Sequence, residues 1–193
     1  MKFLVGLARE ICETIGTAKM PPVAEQLGRL AAEAAVIENL LYGMEANGSM
    51  HGDYYVPDRH AVYAAQTMTQ AMYPQFITTM RELAGGALIM LPSSASDYSD
   101  PELSALFSAV QIAADGRTPV ERVKLMKLAW DAIGSEFASR HTQYEMFYAG
   151  AQFVTRGHSF RNYDWAKAKS LVSTISDRYD LAGSLAGAKQ AAE

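Results

Sequence analysis

The chain has 193 residues, of which 49% are hydrophobic, 10% aromatic and 20% charged, and its formal net charge is −4. This composition excludes intrinsic disorder over most of the chain, and the length can bury a substantial core, either as one domain or as part of something larger. The acidic balance and the lack of a long Lys/Arg run argue against a nucleic-acid-binding protein.

In chain order, residues 1–15 predict a short amphipathic helix stopped by Gly16. Pro21-Pro22 marks the next start. Leu27, Leu30, Ala34, Ile37 and Leu41 then recur at spacings of three and four, predicting a helix over 23–46. Asn47-Gly48-Ser49 closes it, and 48–56 reads as a loop rich in Gly, Tyr and His. Pro57-Asp58 opens a third helix carrying Val62, Ala65, Met68, Met72 and Phe76, which Pro74 should kink or interrupt. It ends at Gly85-Gly86. Residues 87–96 read as an ordered loop. Ser99-Asp100-Pro101-Glu102 starts a helix reaching about residue 114, broken by Asp115-Gly116. Thr118, Pro119 and Glu121 form a capping-box signal. The stripe Val123, Met126, Trp130, Ile133, Phe137, Arg140, Tyr144 and Phe147 then predicts one long helix up to Gly150. Asn162-Tyr163-Asp164 caps a last helix over 165–179. No strand alternation of useful length is visible. The fold expected is all-α, an antiparallel bundle of four to six helices over 1–181, with a disordered Ala- and Gly-rich tail over 182–193.

The apolar run 83–92 is far too short to span a membrane. Arg9 and Glu10 cut short the apolar start that would otherwise open a signal peptide. Cys12 is the only cysteine, so no intramolecular disulfide forms. Together these point to a soluble cytoplasmic chain with no membrane or nucleic-acid partner.

Motifs that carry chemistry are sparse. The four histidines form neither an HExxH pair nor Glu-x-x-His pairs, and His51 with Asp53 reads as two solvated loop residues. There is no G-x-S-x-G elbow, no G-x-G-x-x-G and no P-loop, and Cys12 reads as a small packing residue. Two segments remain. Gly134, Ser135, Ala138 and Ser139 put small side chains on one face of the expected long helix. A neighbouring helix could approach there, or a flat ligand and its phosphates. Arg140 and His141 add donors suited to phosphate oxygens, although Arg140 can also pair with Glu136 one turn back. In Leu91-Pro92-Ser93-Ser94 the hydroxyls either bond the local backbone near Asp97 or face a ligand, the backbone role being the simpler.

The order and spacing of several stretches identify a resemblance. They are Phe3-Leu4-Val5-Gly6-Leu7-Ala8, Met90-Leu91-Pro92-Ser93-Ser94, Val120-Glu121-Arg122-Val123-Lys124-Leu125, Trp130-Asp131-Ala132-Ile133-Gly134-Ser135-Glu136-Phe137, Ser139-Arg140-His141, Tyr144-Glu145 and Phe147-Tyr148-Ala149-Gly150. In these the chain resembles the C-terminal helical domain of the 4-hydroxyphenylacetate 3-hydroxylase family, the oxygenase components of two-component flavin monooxygenases. The resemblance implies an acyl-CoA-dehydrogenase-like fold and assembly as a homotetramer. It also implies reduced FAD supplied by a separate flavin reductase, and hydroxylation of a small phenolic substrate ortho to its hydroxyl. The family's other domains, which hold the substrate contacts, have no counterpart in this sequence, so no catalytic residue carries over. What carries over is a cofactor-binding expectation for Gly134, Ser135, Ser139, Arg140 and His141, and a weaker one for Ser93 and Ser94. A chlorophenol hydroxylase of the same family and a truncated, non-catalytic oligomerising module are the rival expectations, with the 4-hydroxybutyryl-CoA dehydratase branch more distant.

Overall fold

The computed structural model describes residues 1–179, 181 and 183. Its architecture is all-α apart from one small hairpin. Helix α1 (Lys2–Ile15) stops at Gly16, whose φ of 84° places it in the left-handed region that glycine tolerates. Helix α2 (Pro21–Ala46) begins with its prolines in the first turn, where a missing N–H costs nothing. Helix α3 (Arg59–Ala84) is capped by Asp58, whose carboxylate accepts from the Ala61 N–H at 2.6 Å. The Asp58 N–H donates to the Met44 carbonyl at 2.8 Å, and Arg29 donates to Thr79 Oγ1 at 2.6 Å. Residues 44 and 58 therefore meet near the tip and 29 and 79 near the base, which makes α2 and α3 an antiparallel pair.

The tip departs from the expected loop. Strands β1 (Ser49–His51) and β2 (Tyr54–Val56) pair antiparallel with Met50 opposite Tyr55, turning at Gly52 with φ 60°. Three-residue strands are too short to show alternation. Tyr55 anchors the hairpin: its hydroxyl donates to the Glu45 carbonyl at 2.7 Å, and its ring lies against Gly48, where a Cβ would sit 2.6 Å from it.

The core lies where α1, α2, α3 and the 123–133 segment meet. Leu7, Ile11, Leu30, Phe76, Met80 and Met126 form its centre, with Cys12 as a buried packing residue. At 14 residues α1 is about 21 Å long, against about 39 Å for the 26 residues of α2 and α3. Only the first half of the predicted α2 stripe is thus buried, at Leu27, Leu30 and Ala34, while Leu41 is exposed. On α3 the expected stripe residue Met68 is exposed and Phe76 is buried. Pro74 does not interrupt α3. Buried Gln70 precedes it and buried Phe76 and Ile77 follow, so packing on both sides holds the helix together.

Two short 3-10 turns, Gly85–Leu88 and Ala95–Ser99, occupy the predicted loop. Helix α4 (Pro101–Val110) starts as predicted, with Asp100 as cap, but ends before residue 114. Buried Gln111 turns the chain by donating to the Met90 carbonyl at 2.6 Å and accepting from Arg122 Nε at 3.1 Å. The following residues dock on the end of α1. The Ala114 N–H donates to the Thr14 carbonyl at 2.9 Å, Thr14 Oγ1 donates to Asp115 at 2.8 Å, and Arg117 bridges Asp115 and Glu10. Partial desolvation alone would raise the Asp115 carboxyl. The hydrogen bonds from Thr14 and the Arg117 amide, with the Arg117 charge, outweigh it and hold the carboxyl below the usual carboxylate range.

Helix α5 (Pro119–Ala129) carries the predicted capping box. The long helix expected beyond it is broken: a π-helical turn, Trp130–Gly134, is followed by α6 (Glu136–Glu145). Helix α7 (Gln152–Asn162) was not predicted. Its one buried residue is Thr155, so it offers no apolar stripe to read. Gln70 joins it to α3, donating to the Gly150 carbonyl at 2.8 Å and accepting from Thr155 Oγ1 at 2.8 Å. Helix α8 (Trp165–Ser176) is capped by Asp164 as predicted. The break and α7 account for eight α-helical segments among the described residues where six were read.

These residues group into two compact units, Met1–Ser159 and one that begins at Phe160. In the second, the Trp165 indole donates to the Phe160 carbonyl at 2.7 Å and its ring meets Tyr163 edge-on. The tail expected over 182–193 lies outside the described residues, Gly183 excepted.

Two outcomes follow from these contacts. Gln70→Ala leaves the Gly150 carbonyl unpaired and Thr155 without its buried acceptor, and should cost about 1–3 kcal/mol in chemical denaturation. The depressed Asp115 carboxyl stabilises the fold fully above its unfolded value, and that contribution is lost as pH falls through the lower folded value. Melting temperatures measured down to about pH 2 should therefore fall less steeply for Asp115→Asn than for the wild type.

Candidate functional site

The α5–α6 break shapes the site. The Trp130 ring lies over Gly134, where any Cβ would come 2.5 Å from a ring carbon. Glycine at 134 is therefore required for close approach rather than for an unusual φ. The Ser135 N–H reaches back to the Trp130 carbonyl at 2.8 Å, and Ser135 itself is extended. Its Oγ accepts from the Ala138 N–H at 3.1 Å, so Ser135 is the N-cap of α6. The Ile133 carbonyl finds its donor in Arg81 Nε of α3, at 2.6 Å. This corrects the expected small-residue face. Gly134 and Ser135 do not share a continuous helix with Ala138 and Ser139, because the helix stops and restarts between them.

With α6 so placed, a cleft of about 410 Å³ opens between α1, α2, α3 and α6. Leu4, Ile37, Met72 and Phe137 give it apolar walls, and His141, Tyr73 and Glu145 bring the polar groups. His141 Nε2 lies 3.4 Å from Glu145 Oε1, one helical turn on. Its ring stacks on Phe137 at 6.1 Å and meets Tyr73 edge-on at 5.5 Å. Burial, reinforced by the Glu145 charge, pushes the Tyr73 phenol up, so it stays protonated at neutral pH.

The structure sorts the predicted site residues. His141 lines this cleft. Arg140 lies on the outer face of α6, 80% exposed, and pairs at 3.2 Å with an equally exposed Glu136. Ser139 Oγ donates to the Ser135 carbonyl at 3.1 Å, and Ser135 Oγ also donates to the Asp131 carbonyl at 3.0 Å. Ser93 and Ser94 are elsewhere. Ser94 Oγ accepts from the Ser96 N–H at 3.1 Å, Ser93 Oγ donates to Asp97 at 3.2 Å, and Asp97 accepts the Ser94 N–H. Ser94 thus bonds local backbone and Ser93 a local side chain. Ser94 borders a second cleft of about 380 Å³ with Tyr98, Val123, Lys124 and Lys127. Sequence reasoning did not single out Tyr73, Phe137 or Glu145 as site residues. The i,i+4 spacing of His141 and Glu145 was the available signal for one of them. Among the described residues no three His, Cys, Asp or Glu side chains converge as a metal site, and no helix is long and apolar enough to cross a membrane.

The helical architecture has the acyl-CoA-dehydrogenase-like fold. Its backbone superposes on the oxygenase component (HpaB) of 4-hydroxyphenylacetate 3-monooxygenase, solved with FAD and 4-hydroxyphenylacetate, with a TM-score of 0.84 at 24% identity. That match covers 90% of this chain and 36% of the other. Residues 1–177 match the family described as 4-hydroxyphenylacetate 3-hydroxylase C terminal, and the chain belongs to that family. The oxygenase component of 4-hydroxyphenylacetate 3-monooxygenase from Pseudomonas aeruginosa is 32% identical over 162 residues, covering 83% of this chain and 31% of the relative. That from Klebsiella oxytoca is 31% identical over 191 residues, covering 95% and 36%. The chain spans about a third of the length of these relatives.

Gly134→Ala forces a methyl into the Trp130 ring and should destabilise the chain by about 1–3 kcal/mol. Arg140→Ala removes only an exposed ion pair and should leave the melting temperature unchanged.

Proposed function

We propose that this chain is the C-terminal, flavin-contacting and assembly domain of an aromatic monooxygenase oxygenase component. The complete enzyme would hydroxylate a phenol ortho to its hydroxyl, using O2 and reduced FAD from a separate reductase. Family membership over residues 1–177 is the observation that carries this reading. Reduced FAD, when bound, supplies the reducing equivalents for oxygen activation. This chain supplies part of its binding surface.

The fit to a flavin nucleotide turns on which side chains are uncommitted. Gly134 serves the Trp130 ring, and the Ser135, Ser93 and Ser94 hydroxyls serve local turns. Arg140 is held only by an exposed Glu136, so its guanidinium can turn to a phosphate with little desolvation already spent. Ser139 Oγ keeps acceptor capacity, and the Phe137–His141 stack offers a flat surface beside it. Arg140 is thus the phosphate or ribose contact, with Ser139 and His141 as neighbours.

Assembly as a homo-oligomer, a tetramer by family resemblance, is supported by the α2–α3 arm. Leu41, Tyr42, Met50 and Tyr54 stand exposed along it, a set of large side chains that a second copy would cover. The same surface supports the second reading, a non-catalytic oligomerising module.

Anaerobic titration of reduced FAD into the 193-residue chain separates the two. The flavin reading expects saturable binding in the range of about 1 mM or tighter, weakened roughly tenfold by Arg140→Ala. No binding at such concentrations favours the assembly module. In either case the chain alone should not hydroxylate 4-hydroxyphenylacetate, and turnover by it would contradict the placement of the substrate site in other domains.

A further inference from the structure

The second cleft, about 380 Å³, lies between α5 and the turn Ala95–Ser99, and it shares no lining residue with the cleft that His141 lines. Its volume is within the range of small-molecule sites. Pro92, Ala95 and Val123 give it small or aliphatic walls, and Tyr98 is the one aromatic side chain among the described residues lining it. That ring is already packed against Phe107, at 5.4 Å and tilted. The Tyr98 hydroxyl is shut off from solvent and has no hydrogen-bond partner among the described residues, an arrangement that costs stability unless an acceptor is brought to it. Burial pushes the Tyr98 phenol up, so the proton stays on and the group remains a donor.

The charge of the lining has one sign. Lys124 and Lys127, three residues apart on α5, both border the cleft, and no Asp or Glu does. Lys127 Nζ is held at the edge by donating to the Ser93 carbonyl at 3.2 Å. Neither lysine forms an ion pair among the described residues. Asp97 and Glu121, the carboxylates that flank the cleft in sequence, each close a capping box. The Ser94 hydroxyl caps the same turn as Asp97 and is likewise engaged.

We propose that this cleft binds an aliphatic monocarboxylate, its acid group between Lys124 and Lys127 with one oxygen accepting from the Tyr98 O–H, and its chain along Pro92, Ala95 and Val123. An ionised carboxylate only accepts, and Lys124, Lys127 and Tyr98 here only need to donate, so the two sets match without an unpaired group. The chain gains from burial of apolar area against the aliphatic walls. The site discriminates twice. An alcohol of the same length lacks the charge that the lysines ask for, and a flat aromatic acid finds no ring face left to stack on.

The test titrates octanoate and 1-octanol into the 193-residue chain, followed by ligand-observed NMR with no flavin present, and then challenges bound octanoate with 4-hydroxyphenylacetate. The expected result is saturable binding of octanoate, with 1-octanol weaker by about tenfold and no displacement by an equal concentration of 4-hydroxyphenylacetate. Lys124→Gln, at an exposed position, should keep the circular dichroism of the wild type and weaken octanoate by about threefold to fivefold while leaving 1-octanol unchanged. Tyr98→Phe removes the unpartnered hydroxyl. It should leave the melting temperature of the free chain no lower than that of the wild type, yet weaken octanoate by about tenfold. No saturation by octanoate, 1-octanol binding as tightly, displacement by 4-hydroxyphenylacetate, or indifference to both substitutions overturns the proposal. Arg140→Ala should leave octanoate binding unchanged, so none of these results bears on the flavin reading.

Discussion

The packing of the Trp130 ring onto Gly134 is the constraint on which the functional half of the domain depends. A side chain at 134 would collide with the indole, so the ring can close over the backbone only at glycine. The helix here does not continue as an ordinary α-helix. It takes one π-helical turn, releases Ser135 into an extended conformation and restarts with Ser135 as cap. Arg81 completes the device from α3 by donating to the Ile133 carbonyl. The restart sets the direction of α6. It turns His141 toward the cleft and leaves Arg140 outside, although the two are adjacent in sequence. A helix running unbroken from α5 would have aimed both differently.

The rest of the fold supplies a frame and leaves surface over. The core is concentrated where α1 meets the bases of α2 and α3, and it is extended by the Gln70–Thr155–Gly150 network and by the Arg117 cluster at the end of α1. Beyond that, long apolar side chains remain exposed on α2, the hairpin and the outer faces of later helices. The chain spans about a third of its relatives' length.

Local signals in the sequence were legible in proportion to how local their physics is. The Thr118–Glu121 capping box, the Asp58, Asp100 and Asp164 caps and the Gly16 stop each depend on a few neighbouring residues, and each appears where it was read. What failed depended on distant partners. Pro74 does not break α3 because packing on both sides holds the helix. Residues 130–147 carry an unbroken helical stripe, yet the α-helix gives way to a π turn at Trp130–Gly134 and restarts at Glu136, where Trp130 packs on Gly134 and Arg81 donates to the Ile133 carbonyl. Helix α7 went unread because its buried contact is polar, through Thr155. At the site, the motifs drew attention to residues 134–141, of which His141 lines the cleft, while Tyr73, Phe137 and Glu145 were not singled out. The hydroxyls of Ser93, Ser94 and Ser135 look like ligand groups in sequence and serve as caps or turn contacts in the fold. Tyr73 and Glu145 enter only when α3 and α6 are brought together.

The most direct measurement is the NMR chemical shift of the Gly134 α-protons in the 193-residue chain. With the Trp130 ring over Gly134, at least one of them lies in the shielding region of the indole and should resonate well upfield of an ordinary glycine, returning toward the ordinary position in Trp130→Leu. Two α-protons at ordinary positions in the folded wild type would contradict the ring-on-glycine break, and with it the placement of α6, the cleft and Arg140.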